Sequence, residues 1–350
     1  MKAEPYDSFR QRIHKAAEEK NLLLRAMFEL TYRCNFRCGH CYVPVGYKRK
    51  YGNKELKTEE IFSILDQLRD LGCFYLGLTG GEPFLRKDIV KVLRYAKDKG
   101  FEIIIYTNGS LIDSEMAGEL KAINPNKVDI TIPAMSERAF EDITGIAGAR
   151  ARVFRAIELL NERGVNLGFK TCVLKENEAE IEGIRGFSRR LHIGHRLDDA
   201  PSPCLDGSKR PYNHRSSALT SLVKSASRDP AKEASCRSSS RNGLFPKTGG
   251  GLFGCGSGLT QAAITPCGEL KICLMIDYPK YRILEISLKE AWRRLGMLVR
   301  SISPDGEYGC DRCGLYDYCD WCPAVSWLEN KTFTACSPES RILAKARRGP

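Results

Sequence analysis

The sequence contains no apolar run of about 18 residues, the length that a membrane-spanning helix needs. It also lacks a hydrophobic signal segment, so its 15 cysteines are expected in a reducing compartment, where metal binding is their more common use. A nucleic-acid-binding signature is absent too, and the basic residues behind the formal charge of +12 are scattered. The sequence therefore predicts a cytoplasmic protein with no membrane and no nucleic-acid partner.

Three cysteines near the start of the chain form a C-x3-C-x2-C run, Cys34, Cys38 and Cys41. Iron-sulfur clusters are normally held by four thiolates, so a cluster on this run would leave one iron open to a ligand from outside the protein. The alternative is a zinc site, which needs a fourth Cys or His at short spacing. His40 lies between two of the cysteines, where it could hardly bind the same ion. The run therefore indicates a cluster site at which a substrate or cofactor can bind the open iron.

Two short polar sequences follow predicted strands further along the chain. A predicted strand over residues 74–79 leads into a Gly-Gly-Glu-Pro sequence, hereafter GGEP. Its residues are Gly80, Gly81, Glu82 and Pro83. Two residues without side chains let main-chain groups approach a bound ligand, and the glutamate adds a carboxylate beside it. The next predicted strand ends at Asn108, for which an ordinary Asn-Gly turn is the alternative interpretation.

Predicted strands and helices alternate over roughly the first 200 residues. The predicted helices include 58–71 and 152–163, whose apolar residues recur at helical spacing. The predicted strands cover residues 27–30, 74–79, 103–107, 128–132, 168–174 and 195–197. Such alternation favours an α/β fold of parallel strands with crossover helices, in which ligands collect at the carboxyl ends of the strands. The cysteine run, GGEP and Asn108 all fall at those ends. Cys73 and Cys172 are predicted to be small core residues.

The cysteine run and GGEP together resemble the signature of the radical S-adenosylmethionine (SAM) superfamily. The resemblance implies the partial (β/α)6 barrel of that family. It also implies a 4Fe-4S cluster on Cys34, Cys38 and Cys41, with SAM at the open iron and residues 80–83 binding the SAM ammonium group. In this family, SAM is cleaved reductively to a 5'-deoxyadenosyl radical.

The resemblance adds Asn108 and Thr131 as further SAM-binding residues, the second through its hydroxyl group. Family members commonly carry a Ser and then Asp-Gly at the third position, whereas this chain has Thr131, Pro133 and Ala134. No general base stands out. Two polar residues at or near predicted strand ends, which face either the pocket or the surface, are Lys170 and Arg196.

Eight of the 15 cysteines lie within residues 255–336, near the end of the chain. They are Cys255, Cys267, Cys273, Cys310, Cys313, Cys319, Cys322 and Cys336. Their order resembles the SPASM domain, which extends a subset of radical SAM enzymes and usually holds two auxiliary iron-sulfur clusters. The sequence departs from that pattern at Cys319-Asp-Trp-Cys322, where the usual gap is one residue longer.

The SPASM resemblance implies two ligand groups. One cluster would be held by Cys310, Cys313, Cys319 and Cys336. The other would be held by Cys255, Cys273 and Cys322, with Cys267 as a candidate fourth ligand. A pair of zinc ribbons is the alternative interpretation, because C-x2-C pairs are frequent in zinc sites.

Composition divides the chain into five predicted segments. They are an N-terminal extension (1–22), the barrel (23–200), a flexible bridge (201–251), a small SPASM-like domain (252–340) and a basic tail (341–350). The bridge is rich in Ser, Arg, Lys, Gly and Pro, as mobile segments are. Its cysteines, Cys204 and Cys236, match no ligand position and are predicted to be spare thiols.

Two functions fit these features. The first is a radical SAM enzyme that oxidatively modifies a peptide or protein by a crosslink, a thioether or side-chain oxidation. The second is radical SAM oxidation or decarboxylation of a small molecule such as a haem precursor. The basic surface would suit an acidic flavodoxin or ferredoxin as the reductant, because complementary charge speeds encounter.

Overall fold

The computed structural model describes residues 6–198, 201–216 and 252–348. Its helices are α1 (Tyr6–Glu19), α2 (Val45–Tyr51), α3 (Thr58–Asp70), α4 (Ile89–Asp98), α5 (Ser114–Ile123), α6 (Glu137–Thr144), α7 (Ala149–Glu162), α8 (Ile181–Arg190), α9 (Leu288–Ser301), α10 (Pro323–Asn330) and α11 (Pro338–Arg348). Its strands are β1 (Arg25–Glu29), β2 (Tyr75–Thr79), β3 (Glu102–Thr107), β4 (Lys127–Thr131), β5 (Leu167–Cys172), β6 (Gly194–Asp198), β7 (Gln261–Ile264), β8 (Glu269–Lys271) and β9 (Tyr281–Arg282).

The described strands form a single sheet in the order β6-β5-β4-β3-β2-β1-β7-β8-β9. Strands β1 to β6 are all parallel and pair in chain order. Between consecutive strands the chain returns through helices, which confirms the predicted α/β fold. Each of the six predicted strands is present, with its ends shifted by at most two residues.

Residue alternation within each strand separates the two faces of the sheet. In β3, Ile103 and Ile105 are fully buried, whereas Ile104 and Tyr106 on the opposite face are half-buried. The fully buried face packs against the helices. Ring stacking of Phe169 in β5 on Phe187 in α8, with centroids 5.7 Å apart, is one such contact. The other face carries the half-buried side chains.

The helices have the apolar stripe that this packing requires. In α3 the buried residues are Ile61, Ile64, Leu65 and Leu68, which recur on one side of the helix. Between this helix and β2 lies Cys73, which is fully buried in the core as predicted. Cys172 at the end of β5 is half-buried and packs against the same core.

The C-terminal region adds strands to this sheet. Strand β7 pairs in parallel with β1, and β8 and β9 follow as antiparallel neighbours. The sheet thus runs past the predicted segment boundary at residue 252, although the division of the chain into domains stays a prediction. Beyond the sheet, α11 occupies most of the predicted basic tail, and its Arg347 lies 2.7 Å from Asp320.

Within the described ranges, no helix is both long and apolar enough to span a bilayer. Of the predicted flexible bridge, residues 217–251, with Cys236 among them, lie outside the described residues.

Candidate active site

The loop that follows β1 carries the first three cysteines at the carboxyl end of the parallel sheet. Cys34, Cys38 and Cys41 are each half-buried, and none of them is in a disulfide bond. The backbone N–H of Cys41 donates to the carbonyl of Cys38 at 3.2 Å, and the N–H of Phe36 points to Cys34 Sγ at 3.4 Å. The three thiols therefore share one compact loop, hereafter the cysteine loop (residues 30–44).

The two glycines of GGEP pack against the backbone of the cysteine loop. A Cβ on Gly80 would lie 2.3 Å from the Thr31 carbonyl oxygen, and one on Gly81 would lie 2.0 Å from that of Arg33. Gly81 N–H donates to Thr31 O at 2.7 Å, and Glu82 N–H donates to Arg33 O at 2.8 Å. The missing side chains thus bring two protein backbones together, in addition to any approach to a ligand.

The Glu82 carboxylate is enclosed within the protein and has no exposed surface. Its oxygens accept hydrogen bonds from the Thr107 hydroxyl (2.7 Å), the Asn108 N–H (2.7 Å) and the Phe84 N–H (3.1 Å). Burial raises the pKa of Glu82 to about 7, although the three hydrogen bonds act in the opposite direction. The carboxylate joins the ends of β2 and β3, and its contact with SAM stays a prediction.

Asn108 reaches the cysteine loop with its side chain. Its amide nitrogen donates to Asn35 Oδ1 at 2.9 Å and lies 4.0 Å from Cys34 Sγ. The Ser110 hydroxyl donates to Asn108 Oδ1 at 2.7 Å and accepts from the Asn35 amide at 2.8 Å. These contacts form a closed ring of polar groups beside Cys34.

The remaining polar residues predicted for the barrel lie side by side on β4, β5 and β6. Thr131 is in register with Lys170, and Lys170 is in register with Arg196. Lys170 Nζ lies 2.8 Å and Arg196 Nε lies 3.3 Å from the carboxylate of Asp198. Both cations therefore share one carboxylate, with Lys170 half-buried and Arg196 more exposed.

Glu55 holds the start of the cysteine loop, a role that the sequence did not reveal. Its carboxylate accepts hydrogen bonds from the Thr31 hydroxyl (2.6 Å) and the Tyr32 N–H (3.0 Å) and lies 3.4 Å from Arg33 Nε. The signal that could have found it is weak, because Glu55 lies in an irregular segment before α3 and more than twenty positions from its partners.

Arg86 holds the same loop from the other side. Its guanidinium donates to the carbonyl oxygens of Leu30 (3.1 Å) and Leu56 (3.2 Å) and forms two hydrogen bonds with Asp88. Only 7% of Arg86 is exposed. The sequence signal for this contact is an arginine four residues after Glu82, which the GGEP motif does not include.

The first part of the predicted flexible bridge, residues 201–216, packs on the cysteine loop. Leu205 N–H donates to Tyr42 O at 2.9 Å, and both Cys204 Sγ and Arg210 Nη2 lie 3.5 Å from Cys41 O. A Cβ on Gly39 would lie 2.2 Å from the ring of His214. These residues are therefore held by the loop, and Cys204 is a buried neighbour of the first cysteine run.

In the first predicted C-terminal ligand group, the thiols of neighbouring cysteines shift the pKa of Cys310. Burial, together with the thiols of Cys319, Cys336 and Cys313, raises the pKa of Cys310 to about 11. Since such charge effects need short distances, these thiols share one neighbourhood. It contains the same residues as the first predicted ligand group.

The second C-terminal group has a similar arrangement with one difference. Burial, together with the thiols of Cys322 and Cys255, raises the pKa of Cys273 to about 12. Burial also raises the pKa of Cys267 to about 11, but the charges that act on it belong to glutamates and lysines, Glu269 first. The structure thus gathers three of the four predicted ligands and surrounds Cys267 with different neighbours.

Among the residues described, no three His, Cys, Asp or Glu side chains converge on a point that a single metal ion would occupy. A cubane cluster binds each thiolate through a different iron, so its ligands stand farther apart than those of a tetrahedral zinc ion. Half-buried thiols spaced along one loop fit the cluster.

Comparisons with known proteins identify similar sequences. A family model described as the radical SAM superfamily matches residues 28–187. Fe-coproporphyrin III synthase of Methanosarcina barkeri is 34% identical over 158 residues, which cover 45% of this chain and 39% of that protein. The mycofactocin maturase MftC of Mycobacterium ulcerans is 25% identical over 347 residues, which cover 92% of this chain and 90% of that protein.

Solved structures extend the similarity to nearly the whole chain. Streptococcus suis SuiB bound to its precursor peptide SuiA has a TM-score of 0.71 at 18% identity, and the match covers 97% of this chain and 82% of that chain. Similarity at this level of identity establishes the fold.

Proposed function

We propose that this chain, which belongs to the radical SAM superfamily and resembles its SPASM-containing members, cleaves SAM reductively and uses the resulting radical to oxidise a peptide or protein. One observation carries the proposal: three cysteine thiols share a loop at the carboxyl edge of a parallel sheet, and GGEP contacts that loop backbone to backbone. Over 158 residues the chain spans about two fifths of the first relative, whereas it covers most of the maturase MftC.

The cysteine loop and GGEP have different roles in this proposal. Cys34, Cys38 and Cys41 bind the 4Fe-4S cluster, which when bound supplies the electron for SAM cleavage. Residues 80–83 receive the SAM ammonium group. Glu82 keeps the ends of β2 and β3 together beneath it through its hydrogen bonds to Thr107 and Asn108.

The C-terminal thiols are proposed to hold two auxiliary iron-sulfur clusters. Removal of a hydrogen atom leaves a substrate radical, and its oxidation releases one further electron that needs an acceptor nearby. The two thiol groups around Cys310 and Cys273 support such an acceptor, because each gathers at least three thiols. The iron content of a Cys267→Ala variant tests whether Cys267 joins the second group.

A peptide substrate is favoured by two of the proteins that align over most of the chain. MftC is named a maturase, and SuiB was solved with a precursor peptide. The alternative, oxidation or decarboxylation of a haem precursor, is supported by Fe-coproporphyrin III synthase, whose similarity covers 45% of this chain. It is also supported by the AdoMet-dependent heme synthase of Oleidesulfovibrio alaskensis, which is 23% identical over 89% of this chain. An acidic flavodoxin or ferredoxin reductant and a cytoplasmic location complete the proposal.

Metal content tests the cofactor part of the proposal. After anaerobic reconstitution, the chain should bind on the order of twelve irons, and replacing Cys34, Cys38 and Cys41 by Ala should remove about four of them together with all formation of 5'-deoxyadenosine. A Cys73→Ala variant, whose thiol lies in the core, is the control and should keep its iron. Stoichiometric zinc without the visible absorption of iron-sulfur clusters would refute this part.

Mass spectrometry tests the substrate. A short peptide encoded beside the gene, incubated with enzyme, SAM and a low-potential reductant, should lose two hydrogens per event, about 2 Da, with 5'-deoxyadenosine formed in step. Release of carbon dioxide from a porphyrin, with the peptide unchanged, would replace the peptide assignment by the alternative.

A further inference from the structure

A fully buried ion pair, Glu29 with Lys271, links strand β1 to strand β8. Glu29 is the last residue of β1 and Lys271 is the last residue of β8, with β7 between the two strands. Lys271 Nζ lies 3.4 Å from Glu29 Oε2, and neither side chain has any exposed surface. Two apolar residues of similar volume would stabilise a fold as well as such a pair, so its position calls for another explanation.

Each member of the pair also contacts a segment that carries a cysteine. The Tyr42 hydroxyl donates to Glu29 Oε1 at 3.1 Å, and Tyr42 directly follows Cys41 in the cysteine loop. Lys271 Nζ donates to the carbonyl oxygen of Leu274 at 2.8 Å, and Leu274 directly follows Cys273. One polar network thus connects the first cysteine run with the second C-terminal thiol group.

The two charges of this network depend on each other. Among the described residues, Glu29 Oε2 is a buried oxygen that has no hydrogen-bond partner of good geometry. The ammonium of Lys271, 3.4 Å away, is therefore its principal compensation. In an interior of low dielectric constant, the field of such charges extends to neighbouring groups with little screening.

We propose that Lys271 and Glu29 are positioning residues that set the reduction potential of the cluster at Cys273. This inference rests on the proposed function, because it requires that cluster. The cluster takes up one electron, the one released when the substrate radical is oxidised, and no bond to the pair forms or breaks. A buried cation beside the thiolates favours the reduced, more negative cluster, and a buried anion disfavours it.

Single substitutions at the two positions should move the potential in opposite directions. In the reconstituted full chain, Lys271→Met should lower the midpoint potential of one C-terminal cluster by about 59 mV, a tenfold change in the ratio of oxidised to reduced cluster. Glu29→Gln should raise it. EPR-monitored redox titration measures both. Formation of 5'-deoxyadenosine should continue in both variants, because the first cysteine run is intact.

Lys127→Met is the matched control, because Lys127 also pairs with a buried carboxylate, that of Asp129, but on β4. Its potentials should equal those of the wild type. The double variant Lys271→Met, Glu29→Gln removes both charges, so it should fold even where the single lysine variant does not, and its potential should lie between those of the two single variants.

The outcomes separate this inference from the proposed function. Wild-type chain with only about four irons would refute the auxiliary clusters themselves. Wild-type chain with its full iron content, but with potentials that stay unchanged or move in one direction in both single variants, would refute the role of the pair alone. An equal shift in Lys127→Met would refute it too.

Discussion

At the scale of single residues, Glu82 combines two opposing influences on one carboxylate. Three donors, the hydroxyl of Thr107 and the N–H groups of Asn108 and Phe84, favour the charged form. Complete burial disfavours that form more strongly, so the pKa is raised to about 7. The group therefore titrates in the folded chain at a pH at which an unfolded glutamate is already ionised.

This pKa shift predicts a specific pH dependence of stability. Below pH 4.5, the ordinary pKa, Glu82 is protonated in both states, and its favourable contribution is fully present. As the pH rises to about 7, only the folded chain retains the proton, and the contribution is lost. The free energy of unfolding of the wild type should therefore fall by about 3 kcal/mol relative to Glu82→Gln over this range.

Urea unfolding at a series of pH values measures the effect. Glu115→Gln, on the exposed first turn of α5, is the control and should follow the wild type at every pH. Parallel curves for the wild type and Glu82→Gln would mean that the folded carboxylate keeps an ordinary pKa.

At the scale of structural elements, the cysteine loop and the GGEP turn are held together by backbone contacts. The space beside Gly81 is filled by the carbonyl group of Arg33, whose oxygen and carbon would lie 2.0 Å and 2.5 Å from an added Cβ. Backbone atoms of this kind cannot yield as the end of a flexible side chain can. Any side chain at this position must therefore displace the loop that carries the first cysteines.

Gly81→Ala is expected to impair cluster binding at the first cysteine run. The variant should lose about four irons and the formation of 5'-deoxyadenosine, while the iron of the proposed C-terminal clusters should remain. Gly118→Ala, in α5 with no atom within 4 Å of the added Cβ, is the matched control and should keep its iron. Full iron content in Gly81→Ala would show that the loop adapts to the extra carbon.

The sequence was sufficient for the elements whose signal is local. The apolar spacing of α3 predicts residues 58–71 against the observed Thr58–Asp70, and the strands before GGEP and Asn108 are found where alternating or continuous apolar runs predict them. The polar residues at strand ends are brought together because parallel strands end at one edge of the sheet.

Other features depend on contacts that no local pattern encodes. Glu55 and Arg86 bind the cysteine loop across more than twenty positions in sequence. Strands β7 to β9 have two to four residues each, too few for a periodic signal, so their addition to the main sheet could not be predicted. The direction of the Glu82 carboxylate is likewise set by its contacts with Thr107 and Asn108, which no local pattern encodes.

At the scale of the whole molecule, β7 covers one side of β1. Four residue pairs, from Arg25 with Gln261 to Phe28 with Ile264, make this parallel contact. Without it, β1 would become an edge strand with unpaired backbone groups, which promote association between chains.

A chain that ends at residue 216 is therefore expected to aggregate. It keeps β1 to β6 but loses the cover of β1, and sedimentation velocity should show large species where the full chain shows one boundary. A chain ending at residue 337 lacks α11 but retains every described strand, and it should sediment as the full chain does. A discrete, non-aggregating 1–216 fragment would contradict this account.

The contacts around Cys41 also determine when the surroundings of the first cysteine run are complete during protein synthesis. The carbonyl oxygen of Cys41 accepts hydrogen bonds from Cys204 and Arg210. The next residue, Tyr42, donates to Glu29, which forms an ion pair with Lys271. A ribosome delivers Cys34, Cys38 and Cys41 long before these partners emerge. The early motif thus acquires its final surroundings only when most of the chain has been translated, and insertion of its cofactor into the finished site belongs after translation.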